Sequence, residues 1–309
     1  KLLKMLAKSL LKTKLSIGTK CFGIIPTRNM SMATNIKKLR SNTGSPIGEC
    51  KKALQQFEGD FEKAKEWLRE QGIAYADKRS ERSTVQGQIG LKVTNDNRTA
   101  VVIEVYCETD FVAKNDMFKK GVHTYIESLE QAEEVQITIA EKDTEEAKEK
   151  LYNLSLSKSL DPELDQMNAK DGVTYLISKT RENCNLGSII RHTVNEGKRW
   201  GNYLHSSQYT DLCKTGSLVL LNSSNSQLNL SSVANTIAMH VVAMKPSHIS
   251  KSEAEKNGEK ASDSEILLTQ ELVSPNNEEN LTVEEWLKKE GEEKDTEITI
   301  EHFSIFTCA

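Results

Sequence analysis

Val101-Val102-Ile103-Glu104-Val105-Tyr106-Cys107-Glu108-Thr109-Asp110-Phe111-Val112 is the stretch on which the reading of this chain turns. Its first five residues are β-branched apart from Glu104, which marks a strand buried on at least one face. A threonine, an aspartate and a phenylalanine follow where that strand should leave its sheet. Asn115-Asp116 then has the character of a helix cap, and Phe118, Val122, Tyr125, Ile126 and Leu129 recur at helical spacing behind it. Asp110 and Phe111 therefore fall on a short strand-to-helix turn fixed at both ends. Side chains on such a turn meet a partner with little ordering cost. At this level Phe111 has two readings: packed beneath its own helix, or presented outward.

Working outward, the 309 residues suffice for two or three domains with a substantial core. A net charge of −4 supplies no general basic surface for a phosphate backbone, so direct nucleic-acid binding is not expected. No run approaches the roughly 18–20 apolar residues of a membrane-spanning helix, and no membrane partner is expected. Six cysteines, none in a CxxC pair, argue against a zinc site or a dense disulfide scaffold and suit a reducing compartment. The histidines at 123, 192, 205, 240, 248 and 302 show no ligand spacing, and no Walker loop or GxGxxG opens a helix. Neither cofactor nor metal is expected. Cys107 with His205 is the remaining candidate for a nucleophile and its base, but a mid-sheet strand position predicts a buried, inert thiol. The chain reads as a protein that acts on another protein, not as an enzyme.

Charge is unevenly distributed. The first acidic residue is Glu49, while Lys1, Lys4, Lys8, Lys12, Lys14, Lys20 and Arg28 punctuate Leu2, Leu3, Leu6, Leu10, Leu11 and Leu15. A basic, amphipathic, acid-free N-terminus reads as a mitochondrial targeting presequence over residues 1–33, with a basic tail as the alternative.

Residues 34–74 then read as a three-helix bundle. Ile36 and Leu39 share a face of the first helix, which stops near Gly44. Ser45 caps the second, with Pro46 in its first turn and Ile47, Cys50, Ala53 and Leu54 inward. Asp60 caps the third, with Phe61, Ala64, Trp67 and Leu68 inward and Gly72 at its end. Residues 75–86 read as a linker. A first α+β subdomain, 87–186, holds a strand at Gly87–Val93, the central strand, the turn and its helix. Within it Ile137–Ile139 reads as a short strand or loop, and helices are expected over 151–160 and 175–180. A second subdomain, 187–309, repeats the order. Gly201-Asn202-Tyr203-Leu204-His205 answers Gly87-Gln88-Ile89-Gly90, Ser217–Leu221 answers Val101–Val105, and a helix through Val233, Ile237, Val241 and Met244 answers the Phe118–Leu129 helix. Ser231 or Ser232 is its expected cap, and Pro246 ends it. Residues 250–264 read as a low-complexity solvated loop. Thr282 with Glu285 forms a capping box, and Glu297–Phe306 reads as a last strand joining the second sheet. The expected fold is α+β: a three-helix bundle, then two related α+β subdomains with small antiparallel sheets.

Three blocks carry a family resemblance: Leu39-Arg40-Ser41-Asn42-Thr43-Gly44 through Glu49-Cys50-Lys51-Lys52-Ala53-Leu54, Glu108-Thr109-Asp110-Phe111-Val112-Ala113-Lys114, and Asn235-Thr236-Ile237-Ala238-Met239-His240-Val241-Val242-Ala243-Met244-Lys245-Pro246. In this order they resemble elongation factor Ts. The resemblance implies that the bundle is a ubiquitin-associated-like (UBA-like) module. It also implies that the partner is the GTPase elongation factor Tu, from which the family promotes GDP release, here in the mitochondrial matrix. It assigns Thr109, Asp110, Phe111 and Val112 to disturbing the partner's magnesium–nucleotide site. Arg40, Ile47, Gly48, Lys51, Gly216 and His240 are assigned to docking. Bacterial members insert a coiled coil after the region matching Lys245, and this chain is too short there for that arm. The alternative function is a UBA-like adaptor that binds ubiquitin or another helix without exchange activity, a reading that leaves the Thr-Asp-Phe-Val turn without a role.

Overall fold

The computed structural model describes residues 32–309 apart from 44, 78, 80, 158–159, 161, 166, 208–210 and 276. Residues 1–31 of the expected presequence and the helix stop at Gly44 lie outside the described residues. Three helices open the described chain: α1 (Met32–Thr43), α2 (Ile47–Gln56) and α3 (Phe61–Asp77). Leu39, Cys50, Ala53, Leu54, Ala64 and Leu68 form their core, with Ile36, Phe57, Phe61 and Trp67 packed around it. Asp60 caps α3 as expected, its carboxylate accepting from the Lys63 N–H at 3.1 Å.

Three local expectations are corrected here. Pro46, not Ser45, stands at the N-cap of α2, and the Ser45 side chain is buried instead. Ile47 does not join the core but, as the first residue of α2, is 55% exposed. Nor does α3 stop at Gly72: the helix continues to Asp77, taking up the first residues of the expected linker. A Cβ at Gly72 would lie 2.9 Å from the Ser178 Cβ, so the missing side chain lets α3 lie directly against the later helix that carries Ser178.

The central strand lies in a four-stranded antiparallel sheet. β1 (Gln86–Val93) and β2 (Thr99–Cys107) form a hairpin, and α4 (Asp110–Ala113) and α5 (Asp116–Gln131) follow. Next come α6 (Glu145–Tyr152), α7 (Ala169–Thr180) and β3 (Cys184–Thr193), which pairs with β2. The chain then crosses to a second sheet through β4 (Lys198–His205), returns briefly as β5 (Leu212–Cys213) to the free edge of β1, and crosses again as β6 (Thr215–Ser223). After α8 (Ser231–Met244), α9 (Lys251–Lys256) and α10 (Val283–Glu293), β7 (Ile298–Thr307) completes the second sheet. The strand orders are β3-β2-β1-β5 and β4-β6-β7.

The two sheets face each other, and a helical layer covers the outside of each. Val101, Ile103, Val105 and Cys107 of β2 pack outward with the apolar faces of α5 and α7. Ala100 and Val102, on the opposite face, join Ile89, Leu91, Trp200, Leu218 and Phe306 between the sheets. A strand buried on both faces needs a near-continuous apolar run, and that is why 101–105 lacks strict alternation. Glu104 is the exception. It sits at a bulge in the β2–β3 ladder, where its carboxylate accepts from the Ser188 N–H at 3.0 Å. The outer face of the second sheet packs under α8 and α10. This is the α+β class expected, with the hairpin-then-helix unit β1-β2-α5 echoed by β4-β6-α8.

The division expected at 186/187 cuts through β3, a strand of the first sheet, and β5 also belongs to that sheet. The two units are therefore interleaved, each borrowing backbone pairing from the other's stretch of chain. Elsewhere α6 ends at Tyr152, so of the helix expected over 151–160 only Leu151 and Tyr152 are helical among the described residues, and Ile137 makes a single bridge to Arg191. The loop expected at 250–264 contains α9, whose N-cap Ser250 accepts from the Glu253 N–H. The α8 N-cap is Leu230, with no side-chain cap. Asn229, not either serine, accepts from the Ser231 N–H at 2.9 Å.

Gly201 sets the spacing between the second sheet and α8. A Cβ there would lie 2.3 Å from the Ala234 Cβ and 2.5 Å from the Ala234 carbonyl carbon, so helix backbone would have to move. Gly201→Ala is expected to cost about 1–3 kcal/mol, read as a lower denaturation midpoint at unchanged m-value. An unchanged midpoint would show that α8 is free to shift.

Candidate partner-binding surface

The turn after β2 is held by side chains on every side of Phe111. Thr109 is the N-cap of α4, in extended conformation, and its Oγ1 accepts weakly from the Val112 N–H at 3.4 Å. Thr109 also donates twice to one carboxylate: its N–H to Glu182 Oε2 at 2.9 Å and its hydroxyl to Glu182 Oε1 at 2.6 Å. Charge-assisted bonds of this kind are stronger than neutral ones. At the far end the Gln88 amide donates to the Ala113 carbonyl at 3.0 Å, and Asn115 caps α5 through the Met117 N–H at 2.8 Å. Val112 packs on the core.

With its neighbours fixed, Phe111 points outward and is 83% exposed. This decides between the two readings left by the sequence. Asp110 beside it is also on the surface, paired with Lys114 at 2.8 Å, and that ammonium holds its carboxyl below the usual aspartate range. Cys107, just before the turn, is buried and its thiol donates to the Thr109 carbonyl at 3.2 Å. Burial pushes its pKa up to about 12, far from a nucleophile's.

On the N-terminal module Ile47, Gly48 and Lys51 share the exposed outer face of α2, and nothing lies within 4 Å of a Cβ placed at Gly48. Arg40 is exposed on α1. The second subdomain differs from expectation. His240 is 0% exposed, so its side chain reaches no partner, and Gly216 is buried with Cys213 Sγ at 3.0 Å from a Cβ there. His240 sits one step off the apolar stripe of α8, but the 266–273 segment covers that side of the helix as well. Its Nδ1 accepts from the Val273 N–H at 3.0 Å, which places the proton on Nε2 and makes it the donor to Gln270 Oε1 at 2.9 Å. The exposed apolar groups near it are Met244, one helical turn on, and Val273. The sequence reading missed both, along with Glu182.

Burial lowers the pKa of His240, and the same cause lowers His192 and His302. The unfolded chain takes up these protons near pH 6.5 and the folded one resists them, so their stabilisation is present above about 6.5 and lost as pH falls below it. Unfolding free energy is expected to drop between pH 7 and 5.5, by at most about 1.4 kcal/mol per pH unit for each histidine. His240→Gln should flatten that slope. A pH-independent value across the window would contradict this account.

Among the described residues His123, Glu127 and Asp211 are the grouping of metal-ligand type. The Lys92 ammonium already sits 2.9 Å from Glu127 Oε1, and His123 Nε2 is 3.8 Å from Asp211 Oδ2, a loose ionic cluster rather than a preformed cage. No helix is long and apolar enough to cross a membrane among the described residues.

An exposed aromatic on a braced corner, a separate helical module and a two-sheet α+β core define the structural class. Comparison with known proteins gives the family. A family profile described as Elongation factor TS matches residues 108–280, and one described as Elongation factor Ts, mitochondrial, N-terminal matches residues 24–75. Elongation factor Ts of Ehrlichia canis is 36% identical over 215 residues, covering 70% of this chain and 67% of the relative. That of Clostridium novyi is 34% identical over 217 residues, 70% of this chain and 64% of the relative. That of Rhizobium etli is 34% identical over 214 residues, 69% and 63% respectively. The chain belongs to the elongation factor Ts family, a family of translation elongation factors. Its matches span about two thirds of the length of these relatives.

Proposed function

We propose that this protein is the guanine-nucleotide exchange factor for mitochondrial elongation factor Tu. The observation that carries the reading is the exposed Phe111 ring on a turn anchored at Thr109, Ala113 and Asn115. A GTPase holds its nucleotide through backbone N–H groups around the phosphates and a magnesium ion fixed by a few oxygens. A factor expels that nucleotide by binding the empty state more tightly. Phe111 enters an apolar pocket near the partner's magnesium-binding elements, and Asp110 takes hydrogen bonds there once released from Lys114. Arg40, Ile47, Gly48 and Lys51 dock the N-terminal module. On the second subdomain Met244 and Val273 supply the contact, with His240 and Gly216 as the packing beneath.

Linkage makes the effect mutual: a factor that weakens nucleotide binding is itself expelled by incoming nucleotide. Turnover follows without any covalent step. Nucleotide-free partner should therefore form a stoichiometric complex with this chain on gel filtration, and magnesium with GDP should dissolve it. Persistence of the complex at saturating GDP would refute the mechanism. Mitochondrial residence is supported by the acid-free, amphipathic N-terminus and the match to the mitochondrial N-terminal profile. A fluorescent protein carrying residues 1–33 should enter mitochondria, and a diffuse signal would count against it.

A further inference from the structure

Three consecutive residues at the end of α7 tie together three separate parts of the molecule. Arg181 closes the helix in the left-handed region, at φ 65°, and its guanidinium pairs with Glu49 of α2 at 2.8 Å. Its carbonyl accepts from the Arg79 guanidinium, just beyond α3. Glu182 takes both bonds from Thr109, at 2.9 and 2.6 Å. Asn183 is buried; its N–H donates to Glu108 Oε1 at 2.6 Å and its amide to the Arg82 carbonyl at 2.8 Å. A non-glycine residue held at positive φ persists where surrounding contacts over-determine it, and such positions gather at functional sites.

Glu49 lies two residues from both Ile47 and Lys51, so its ion pair grips α2 from the side away from the docking face, and Thr109 begins the turn that presents Phe111. The anchors of the two faces, Arg181 and Glu182, are joined by one peptide bond, so their Cα atoms lie about 3.8 Å apart. We propose that the Arg181-Glu182-Asn183 corner is a positioning element that holds the N-terminal docking face and the Phe111 turn in fixed register for a single partner. The proposal rests on the exchange reading above. On that reading none of the three touches the departing nucleotide. Glu182 acts through Phe111, and Arg181 through the docking face.

Register of this kind separates two kinetic quantities. Loosening the turn while docking stays intact lowers the maximal rate of stimulated GDP release. Loosening the module leaves the maximum and raises the concentration needed to reach half of it. Glu182→Ala is expected to lower the maximum about tenfold with less than about threefold change in half-saturation. Glu182→Gln should restore most of it, since its amide oxygen still accepts from the Thr109 N–H. Arg181→Gly removes the ion pair and is at ease at positive φ, so it should fold well while raising the half-saturating concentration several-fold. Hydrogen exchange on the free protein reads the turn without the partner: Glu182→Ala should lose protection at the Thr109 and Val112 amides. Unchanged protection there overturns the proposal, as does an unchanged maximal rate in Glu182→Ala or an unchanged half-saturation in Arg181→Gly. Should the wild-type chain release no GDP at all, the exchange reading fails, and amide protection alone then decides whether Glu182 positions the turn.

Discussion

Phe111→Ala should cut the maximal rate of GDP release from the partner GTPase by about 10- to 150-fold while leaving the fold intact. The ring is 83% exposed in the free protein, so alanine removes little internal packing, and surface changes of this sort stay within about 0.5 kcal/mol of stability. On the proposed mechanism the ring is fully buried in the complex, where an aromatic side chain contributes about 1.5–3 kcal/mol. Contact energy realised only while nucleotide is being displaced appears in the rate, and each 1.36 kcal/mol is a factor of ten. Asp110→Asn should do less, because Asp110 first has to leave Lys114 and the amide keeps an acceptor. Stopped-flow release of a fluorescent nucleotide gives the rate, and thermal unfolding shows whether the fold survives. A rate within twofold of wild type would remove Phe111 from the mechanism.

Arg191→Met should give the largest loss of stability, about 2–4 kcal/mol. Arg191 is buried in β3, and its guanidinium donates to three carbonyls: Leu129 at 2.9 Å, Glu130 at 3.1 Å and Val135 at 3.3 Å. The first two close the C-terminus of α5, where the helix dipole is negative and the carbonyls lack partners of their own. Methionine keeps the stem volume but takes the donor from three carbonyls, at about 1–3 kcal/mol for the buried Leu129 acceptor and less for the part-buried other two. Part of that is offset because the desolvated cation, whose pKa burial lowers, is gone. Since α5 is the helix behind the Phe111 turn, the variant should also weaken hydrogen-exchange protection along 116–131. Urea denaturation measures the loss, and a change below about 0.5 kcal/mol, the scale expected of surface sites, would contradict it.

The sequence disclosed what is local. The Val101–Val105 run marked a strand central to its sheet. The Phe118–Leu129 stripe placed α5, Asn115 its cap and Thr282–Glu285 the box that opens α10. The hairpin-then-helix order recurred as read. What stayed hidden depends on partners distant in the chain. Glu182 and Thr109 are 73 residues apart, and nothing in either neighbourhood names the other. Periodicity gave α8 one buried stripe but not the number of layers around it, so His240 was assigned to the surface while the 266–273 segment lay over it. Ile47 differs the opposite way: helical spacing puts it on the side of Cys50 and Leu54, yet as the first residue of α2 it is exposed. The polar 250–264 stretch hid a helix whose signal, Ser250 three residues before Glu253, was outweighed by composition. The two-residue β5 is too short to show in any pattern.

The most direct test of the central claim is the rate at which elongation factor Tu from mitochondria releases fluorescent GDP in the presence of magnesium, with and without this protein. The expected result is release accelerated by orders of magnitude, saturating with factor concentration and suppressed by Phe111→Ala. Release at the intrinsic rate under saturating factor would contradict it.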